Sequence, residues 1–468
     1  MTEQFDAIVI GAGQAGPAMA ALCGKQGLKT ALIERHRFGG TCVNNGCVPT
    51  KTLVASARVA HMARRAADYG VMLGSEVHVD MAQVKARKDR IVHDSSNGVR
   101  AWMDGSRNVT VIEGHARFTG PHTMAVGERE LTAPRIFINV GGRAAVPDIP
   151  GIQDVPFLNN ERIMHLSQLP EHLIVVGGSY IGLEFAQIYR RFGSQVTVIE
   201  AGPRLVGRED TDVSEAVREM LAAEGVKFQL DAKCIGFERR GERVAVSAVC
   251  GEGAPSVEGS HILLAIGRVP NTHDLGLMNA GIATDARGYI TVDEGLQTNL
   301  EGVYALGDCN GRGAFTHTSW NDYEILATNL FEGGARRVSE RISCYALFVD
   351  PPLARIGMSH TQVKEWSQRT GHQALTAKMM MTRVGRAREM GETTGFMKVA
   401  VDAQTKQILG AAILGVGGDE VMHSLLQVMS ANLPYTAINR TMPIHPTVSE
   451  LLPTMLEGLS PMSLTPDR

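Results

Sequence analysis

The sequence lacks three things. It has no apolar run near the ~18 residues that a membrane-spanning helix needs. It has no excess of one charge, since 46 Lys and Arg stand against 49 Asp and Glu for a formal charge of −3. It has few cysteines, seven in 468 residues. The first absence argues against a membrane partner. The second removes any global electrostatic reason to bind nucleic acid. The third, an odd and sparse set, excludes a secreted disulfide framework. Residues 1–6 are mostly polar and lead into a short apolar stretch that ends in glycine, which is no signal segment. A cytoplasmic address is expected, where thiols stay reduced and a close cysteine pair is a candidate for chemistry.

Glycine is abundant, at 51 residues, against an average usage of about 7%. Without a repeat, that excess suggests tight turns and close backbone approach to a ligand. Hydrophobic residues make up 44% and charged residues 20%, ordinary for a chain with full cores. At roughly 150 residues per domain, the length suggests about three domains.

One pattern occurs twice. Ala7-Ile8-Val9-Ile10 runs into Gly11-Ala12-Gly13-Gln14-Ala15-Gly16, a small-residue segment follows, and Lys29-Thr30-Ala31-Leu32-Ile33-Glu34 ends in an acid. Ile174-Val175-Val176 then runs into Gly177-Gly178-Ser179-Tyr180-Ile181-Gly182, with Gln195-Val196-Thr197-Val198-Ile199-Glu200 beyond it. Each copy reads as strand, glycine turn, helix and acid-tipped strand. Glycines let a pyrophosphate approach the backbone, the helix N-terminus offers free amides, and the acid can bind ribose hydroxyls. Ser179 replaces the middle glycine of the second copy, but the repetition makes two dinucleotide sites the expectation. Glu200 favours the 2′-hydroxyl of NADH over the 2′-phosphate of NADPH, and Arg204, close in sequence, softens that preference.

Residues 48–67 and 81–103 read as helices, and 109–140 and 226–266 as strand-rich segments. Gly141-Gly142 with Pro147, Pro150 and Pro156 marks a crossing between units. From about residue 346, strands alternate with two helical stretches and no glycine fingerprint appears. Between the two copies lies Gly39-Gly40-Thr41-Cys42-Val43-Asn44-Asn45-Gly46-Cys47-Val48-Pro49-Thr50-Lys51. Gly46 permits a tight turn between the cysteines, and a helix starting near Val48 would lower the Cys47 thiol pKa through its free amides. Two small buried hydrophobes or part of a zinc site are the alternatives to a redox pair. No second Cys/His pair stands at ligand spacing, and no resident metal is expected. Lys85, Arg87, Lys88 and Arg90 read as a solvated helix face, and Met379-Met380-Met381 as strand packing. Cys23, Cys234, Cys250, Cys309 and Cys344 have no motif partner and read as packing residues.

These motifs, with Leu264-Ala265-Ile266-Gly267-Arg268-Val269-Pro270-Asn271, Tyr304-Ala305-Leu306-Gly307-Asp308 and His445-Pro446-Thr447-Val448-Ser449-Glu450, make the chain resemble class I pyridine nucleotide–disulfide oxidoreductases over about residues 5–459. That flavoprotein family includes dihydrolipoamide dehydrogenase, glutathione reductase and mercuric reductase. The resemblance implies an α/β fold with two Rossmann-like dinucleotide-binding domains, the second inserted in the first, and a C-terminal α+β dimerisation domain. Residues 1–150 and 272–345 would bind FAD, 151–271 would bind NAD(P)H, and 346–468 would form the interface of a homodimer. Gly11, Gly13, Gly16, Glu34, Thr41, Lys51, Gly141 and Asp308 would hold FAD. Gly177, Ser179, Tyr180, Gly182, Glu200 and Gly267 would serve the nicotinamide nucleotide, with Tyr180 as an aromatic gate. Cys47 would face the flavin and Cys42 would attack substrate. Lys51 would pair with Glu184 near the flavin. His445 and Glu450 would form an acid/base dyad supplied by the other subunit.

The implied activity is NAD(P)H-dependent reduction of a small-molecule or protein-borne disulfide, or its reverse with a dithiol. A metal-ion or oxidant reductase using the same dithiol is a second expectation, and a non-catalytic flavin-binding partner a third. The chain departs from the family at Asn139-Val140-Gly141, usually Ala-Thr-Gly, and at Pro443, where lipoamide dehydrogenases carry a second histidine. It has no cysteine after Cys344, where mercuric reductases carry a vicinal pair, and no N-terminal metal-binding module. The stretch from Met381-Thr382-Arg383 through Gly395-Phe396-Met397-Lys398 resembles the mercuric-reductase-like and reactive-chlorine-resistance branch.

Overall fold

The computed structural model describes residues 1–248 and 256–463. Cys250 and residues 464–468 lie outside the described residues. The chain opens with β1 (Ala7–Ile10), α1 (Gly16–Lys25), β2 (Thr30–Glu34), the short α2 (Gly40–Asn44), α3 (Cys47–Arg64), α4 (Met81–Asp104), β3 (Val109–Glu113) and β4 (Arg135–Ile138). α3 can run 18 residues because glycine is absent and its proline, Pro49, lies in the first turn, where a missing N–H costs nothing. α4 is capped by Asp80, the residue before it, whose carboxylate accepts from the amides of Ala82 and Gln83 at 2.9 and 3.1 Å.

The chain then builds β5 (His172–Val176), α5 (Tyr180–Phe192), β6 (Gln195–Ile199), α6 (Thr211–Ala223), β7 (Lys227–Gln229) and β8 (His261–Leu264). β9 (Val303–Ala305) returns to the first sheet, and α7 (Thr316–Phe331) follows. The first sheet is parallel in the order β9-β4-β1-β2-β3. The second is parallel in the order β7-β6-β5-β8. β1 is buried along its length and β5 nearly so. Strands covered on both faces are apolar runs rather than alternating ones. A two-stranded link pairs Gly142–Ala144 with Arg268–Pro270 where the chain leaves the first sheet and comes back.

The C-terminal unit is an antiparallel sheet of β10 (Cys344–Leu347), β11 (Leu353–Gly357), β12 (Ala374–Met380), β13 (Phe396–Asp402), β14 (Ile408–Leu414) and β15 (Ser460–Pro461), in the order β10-β11-β14-β13-β12-β15. Its longest helices are α8 (His360–Thr370) and α9 (Gly418–Ser430). Leu53 and Ala57 of α3, Leu183 and Phe185 of α5, and Leu347 and Leu414 of this sheet belong to one buried cluster. The helix that begins at Cys47 is therefore packed against the other two units. No described helix is long and apolar enough to cross a membrane.

Three sequence readings change. Lys88 is not on a solvated face: its side chain is 5% exposed and pairs with Asp89, because it lies on the face of α4 that packs inward. Met379 is buried on β12 as strand packing requires, Met380 is exposed because alternate residues of the strand point to opposite sides, and Met381 is buried in the turn that follows. Cys234 is disulfide-bonded rather than a simple packing residue.

Candidate active site

The two glycine turns have the same construction. A Cβ on Gly11 would lie 2.4 Å from the Asn139 carbonyl oxygen, and one on Gly177 2.4 Å from that of Ala265. A Cβ on Gly16 would lie 2.0 Å from the Gly11 carbonyl oxygen, and one on Gly182 2.0 Å from that of Gly177. Helix and strand are thus packed backbone to backbone in both copies, which only glycine allows. The acids are placed alike too. Glu34 accepts from the amides of Ala12 and His36 at 2.7 and 2.8 Å. Glu200 accepts from those of Gly178 and Gly202 at 2.6 and 2.8 Å. Neither α1 nor α5 has a side-chain cap or an acid in its first turn, so their leading amides are free of carboxylate competition for a phosphate. Ser179 is the residue before α5 and Tyr180 its first.

The remaining residues of the first cradle converge on it. Gly40 packs so closely on Gly13 that a Cβ would meet its Cα at 2.7 Å. Thr41 follows in α2, and its carbonyl accepts from the Asn45 amide at 3.0 Å. Gly141 accepts from the Asn271 amide at 3.0 Å, and Gly267 from that of Ala145 at 2.9 Å, across the two-stranded link. Asp308 lies 3.4 Å from Arg268, and burial raises its carboxyl pKa against that pull. Its two carboxylate oxygens can accept from hydroxyl groups, which suits a polyhydroxyl chain. These donors and this glycine cradle fit a dinucleotide.

Cys47 is the first residue of α3 and Cys42 lies in α2. Both are free thiols in this structure. The Cys47 thiol is lowered to about 6, first by the hydrogen bond from Cys42 and further by Thr316 and the Lys51 charge. The Cys42 thiol is raised, because it holds the shared proton and is partly buried. Cys47 also opens α3, as the sequence predicts, and the neighbouring thiol adds to what that position offers. The Cys47 sulfur lies 3.1 Å from the Thr316 hydroxyl at the start of α7. Lys51, one turn along α3, donates to both Glu184 oxygens at 3.0 and 2.9 Å. Its ammonium also lies 4.6 Å from the centre of the Phe348 ring. The Phe348 amide donates to Glu184 at 2.9 Å, and Asn160 donates to the Asn45 carbonyl at 2.9 Å. All three units therefore brace the cysteine loop. Thr316 and Phe348 carried no sequence signal, since neither belongs to a spacing motif.

His445 bonds Glu450 through Nδ1 at 2.8 Å, with the histidine side chain 80% exposed and the glutamate 13%. The pair is preformed and presented outward. Gly11, Gly13, Gly16, Glu34, Thr41, Lys51, Glu184, Cys42 and Cys47 are thus drawn together by the fold, whereas His445 and Glu450 stand apart at the surface.

Two dinucleotide cradles of one design, with a thiolate–thiol pair at the start of a helix braced by a second nucleotide unit, define a nicotinamide-linked dithiol oxidoreductase. The chain belongs to the pyridine nucleotide-disulphide oxidoreductase family, an enzyme family of flavoproteins using FAD and NAD(P)H. The family model matches residues 5–322, and that of its dimerisation domain residues 343–456. The dimerisation domain implies a homodimer. The chain is 35% identical over 458 residues to RclA of Escherichia coli K12, named a probable pyridine nucleotide-disulfide oxidoreductase, covering 96% of this chain and 98% of that one. It is 30% identical to the dihydrolipoyl dehydrogenase of Mycoplasma pneumoniae, covering 96% and 97%. Its fold matches the solved Cu(II) complex of the HOCl-induced flavoprotein disulfide reductase RclA from Escherichia coli at a TM-score of 0.88 and 33% identity, covering 98% of this chain and 99% of that one.

Proposed function

We propose that the protein is an FAD-dependent NAD(P)H:disulfide oxidoreductase whose Cys42 and Cys47 exchange with an external disulfide or similar acceptor. The observation that carries this reading is the placement of Cys42 and Cys47 on α2 and the start of α3, with the Cys47 sulfur 3.1 Å from the Thr316 hydroxyl and Lys51 held by Glu184 one turn along. Gly11, Gly13, Gly16, Glu34, Thr41, Lys51, Gly141 and Asp308 would hold FAD, which when bound would carry two electrons between nicotinamide and the cysteine pair. Gly177, Ser179, Tyr180, Gly182, Glu200 and Gly267 serve the nucleotide. The Glu200 carboxylate beside the second turn favours NADH, and Arg204 is drawn to the Thr211 hydroxyl at 2.6 Å, which leaves Glu200 to set the preference. Residues 1–150 and 272–345 form the FAD unit, 151–271 the nicotinamide unit and 346–468 the interface unit.

In the dithiol form, Cys47 keeps its charge while Cys42 keeps the proton. Transfer of that proton to His445, supplied by the second subunit and oriented by Glu450, frees Cys42 to attack one sulfur of the acceptor. The first leaving sulfur takes that proton from His445, and Cys47 then attacks Cys42 to release the second sulfur as a thiolate, which takes one proton from solvent. NAD(P)H, one proton and one disulfide become NAD(P)⁺ and two thiols. The outward-facing His445–Glu450 pair supports delivery between subunits. The default address remains the cytoplasm, and neither nucleic acid nor membrane is a partner.

A second reading has a metal ion or oxidant as acceptor at the same dithiol. The likeness to RclA, solved with Cu(II) and described as HOCl-induced, favours it. Among the described residues no group of three or more His, Cys, Asp or Glu could hold a metal, so a metal acceptor would meet the cysteine pair itself. A panel of lipoamide, glutathione disulfide, Cu(II), Hg(II) with thiol, and oxygen, each with NADH and NADPH, separates the readings. Anaerobic NADH should add two titratable thiols per chain, and none in Cys42→Ser. No added thiols in the parent protein would overturn the dithiol relay.

A further inference from the structure

Tyr180 is enclosed by an aromatic cluster drawn from three parts of the chain. It meets Phe315, just before α7, edge-on at 5.8 Å and 87°. It meets Tyr345, on β10, edge-on at 5.5 Å and 85°. Phe315 and Tyr345 stack on one another at 5.7 Å and 12°, so Tyr180 has its edge-to-face partners on one rigid pair of rings.

Tyr345 is anchored from behind. Its hydroxyl donates to Glu209 at 2.6 Å. Glu209, 3% exposed, also takes two bonds from Arg355, itself 3% exposed, at 2.7 and 2.5 Å. Arg355 reaches Asp210 at 2.9 Å, and Lys398 pairs with Asp210 and Asp212 at 2.8 and 2.6 Å. The acids flank the start of α6 in the second nucleotide unit, and the cations lie on β11 and β13 of the C-terminal sheet. A buried ion network of this kind is a poor source of net stability compared with apolar packing, but it fixes geometry. None of its members touches the cysteines or the glycine cradles. What it holds in place on the site side is the Tyr345 ring.

We propose that Tyr345 is a positioning residue for nicotinamide entry: held by Glu209, its ring and that of Phe315 set the closed position of Tyr180. This rests on the reading of Tyr180 as the gate over the flavin. Since the closed gate competes with nicotinamide, the apparent affinity scales with the open fraction. Removing either edge-to-face partner of Tyr180 raises that fraction.

The test is a double-mutant cycle on the flavin-loaded dimer, reading KM for NADH against kcat. Tyr345→Leu should lower KM by about three- to tenfold, the size of one aromatic pair, with the effect carried by KM rather than kcat. Tyr345→Phe keeps the ring, loses the bond to Glu209 and should shift KM in the same direction by less. In a Tyr180→Ala background neither substitution should move KM further. An equal shift with and without Tyr180, or no shift in either Tyr345 variant, overturns the proposal. A Tyr180→Ala protein with unchanged KM would overturn the gate reading itself and the proposal with it. If Tyr345→Leu fails to bind flavin, Tyr345→Phe decides the matter in the same cycle.

Discussion

Cys47 and Lys51 occupy successive turns of one helix, so one element sets the spacing between the thiolate and the nearest cation. The proton of the pair belongs to Cys42, which makes the Cys47 charge conditional on its neighbour. In the reduced protein, Cys47 should be protonated below pH 6 and a thiolate above it. Cys42→Ala removes the donor and should move the titration upward, as read from thiolate absorbance near 240 nm against pH. An unmoved midpoint would assign the effect to Thr316 and Lys51 instead. Lys51 has two braces, Glu184 and the Phe348 ring. Lys51→Met should lower NADH-dependent turnover by about 10²- to 10³-fold, the scale of removing one preorganised electrostatic donor. Full activity in that variant would remove Lys51 from the reaction. Phe348→Leu, which leaves the ion pair intact, should cost much less.

At the scale of the element, the repeated strand–turn–helix is the unit that binds. Its two copies share clash distances to the tenth of an ångström at Gly16 and Gly182. The same substitution should therefore fail in two distinguishable ways. Gly182→Ala should raise KM for NADH while the purified protein keeps its flavin. Gly16→Ala should lose flavin. Flavin content and nucleotide KM, measured on both variants, check the assignment of one copy to each nucleotide. Equal loss of flavin in both would show that Gly182 serves packing of the whole molecule. These elements were readable from sequence because their geometry depends on residues a fixed few positions apart. The long helices at 47–64 and 81–104 were legible for the same reason. Burial of Lys88 was not, because which face of α4 packs inward depends on helices far away in the chain.

At the scale of the molecule, His445 and Glu450 make a finished pair, and among the described residues no hydrogen bond joins it to a cysteine. A second subunit gives that arrangement a use. His445→Gln should cut disulfide turnover by about 10²-fold or more, within the range for removing an acid/base group, and spare reduction of a quinone dye. Dilution below the dimer dissociation range should reproduce that split in the parent protein. Equal loss of both activities in His445→Gln would sink the acid/base assignment. The histidine–glutamate spacing was visible in the chain; its outward presentation was not.

The sequence by itself determined what short-range spacing can encode. It specified two glycine turns tipped by Glu34 and Glu200, a cysteine pair ahead of a helix, an absence of long apolar runs and only a small net charge. The tertiary structure decided what surrounds each of these. Thr316 beside Cys47, Phe348 over Lys51, the rings of Phe315 and Tyr345 around Tyr180, and Glu209 locked to Arg355 all join residues far apart in the chain. Such contacts have no period or motif, since they arise only when the three units bury a common face. The same folding brings Cys42, Thr316 and Lys51 to the Cys47 thiol, and all three lower its pKa.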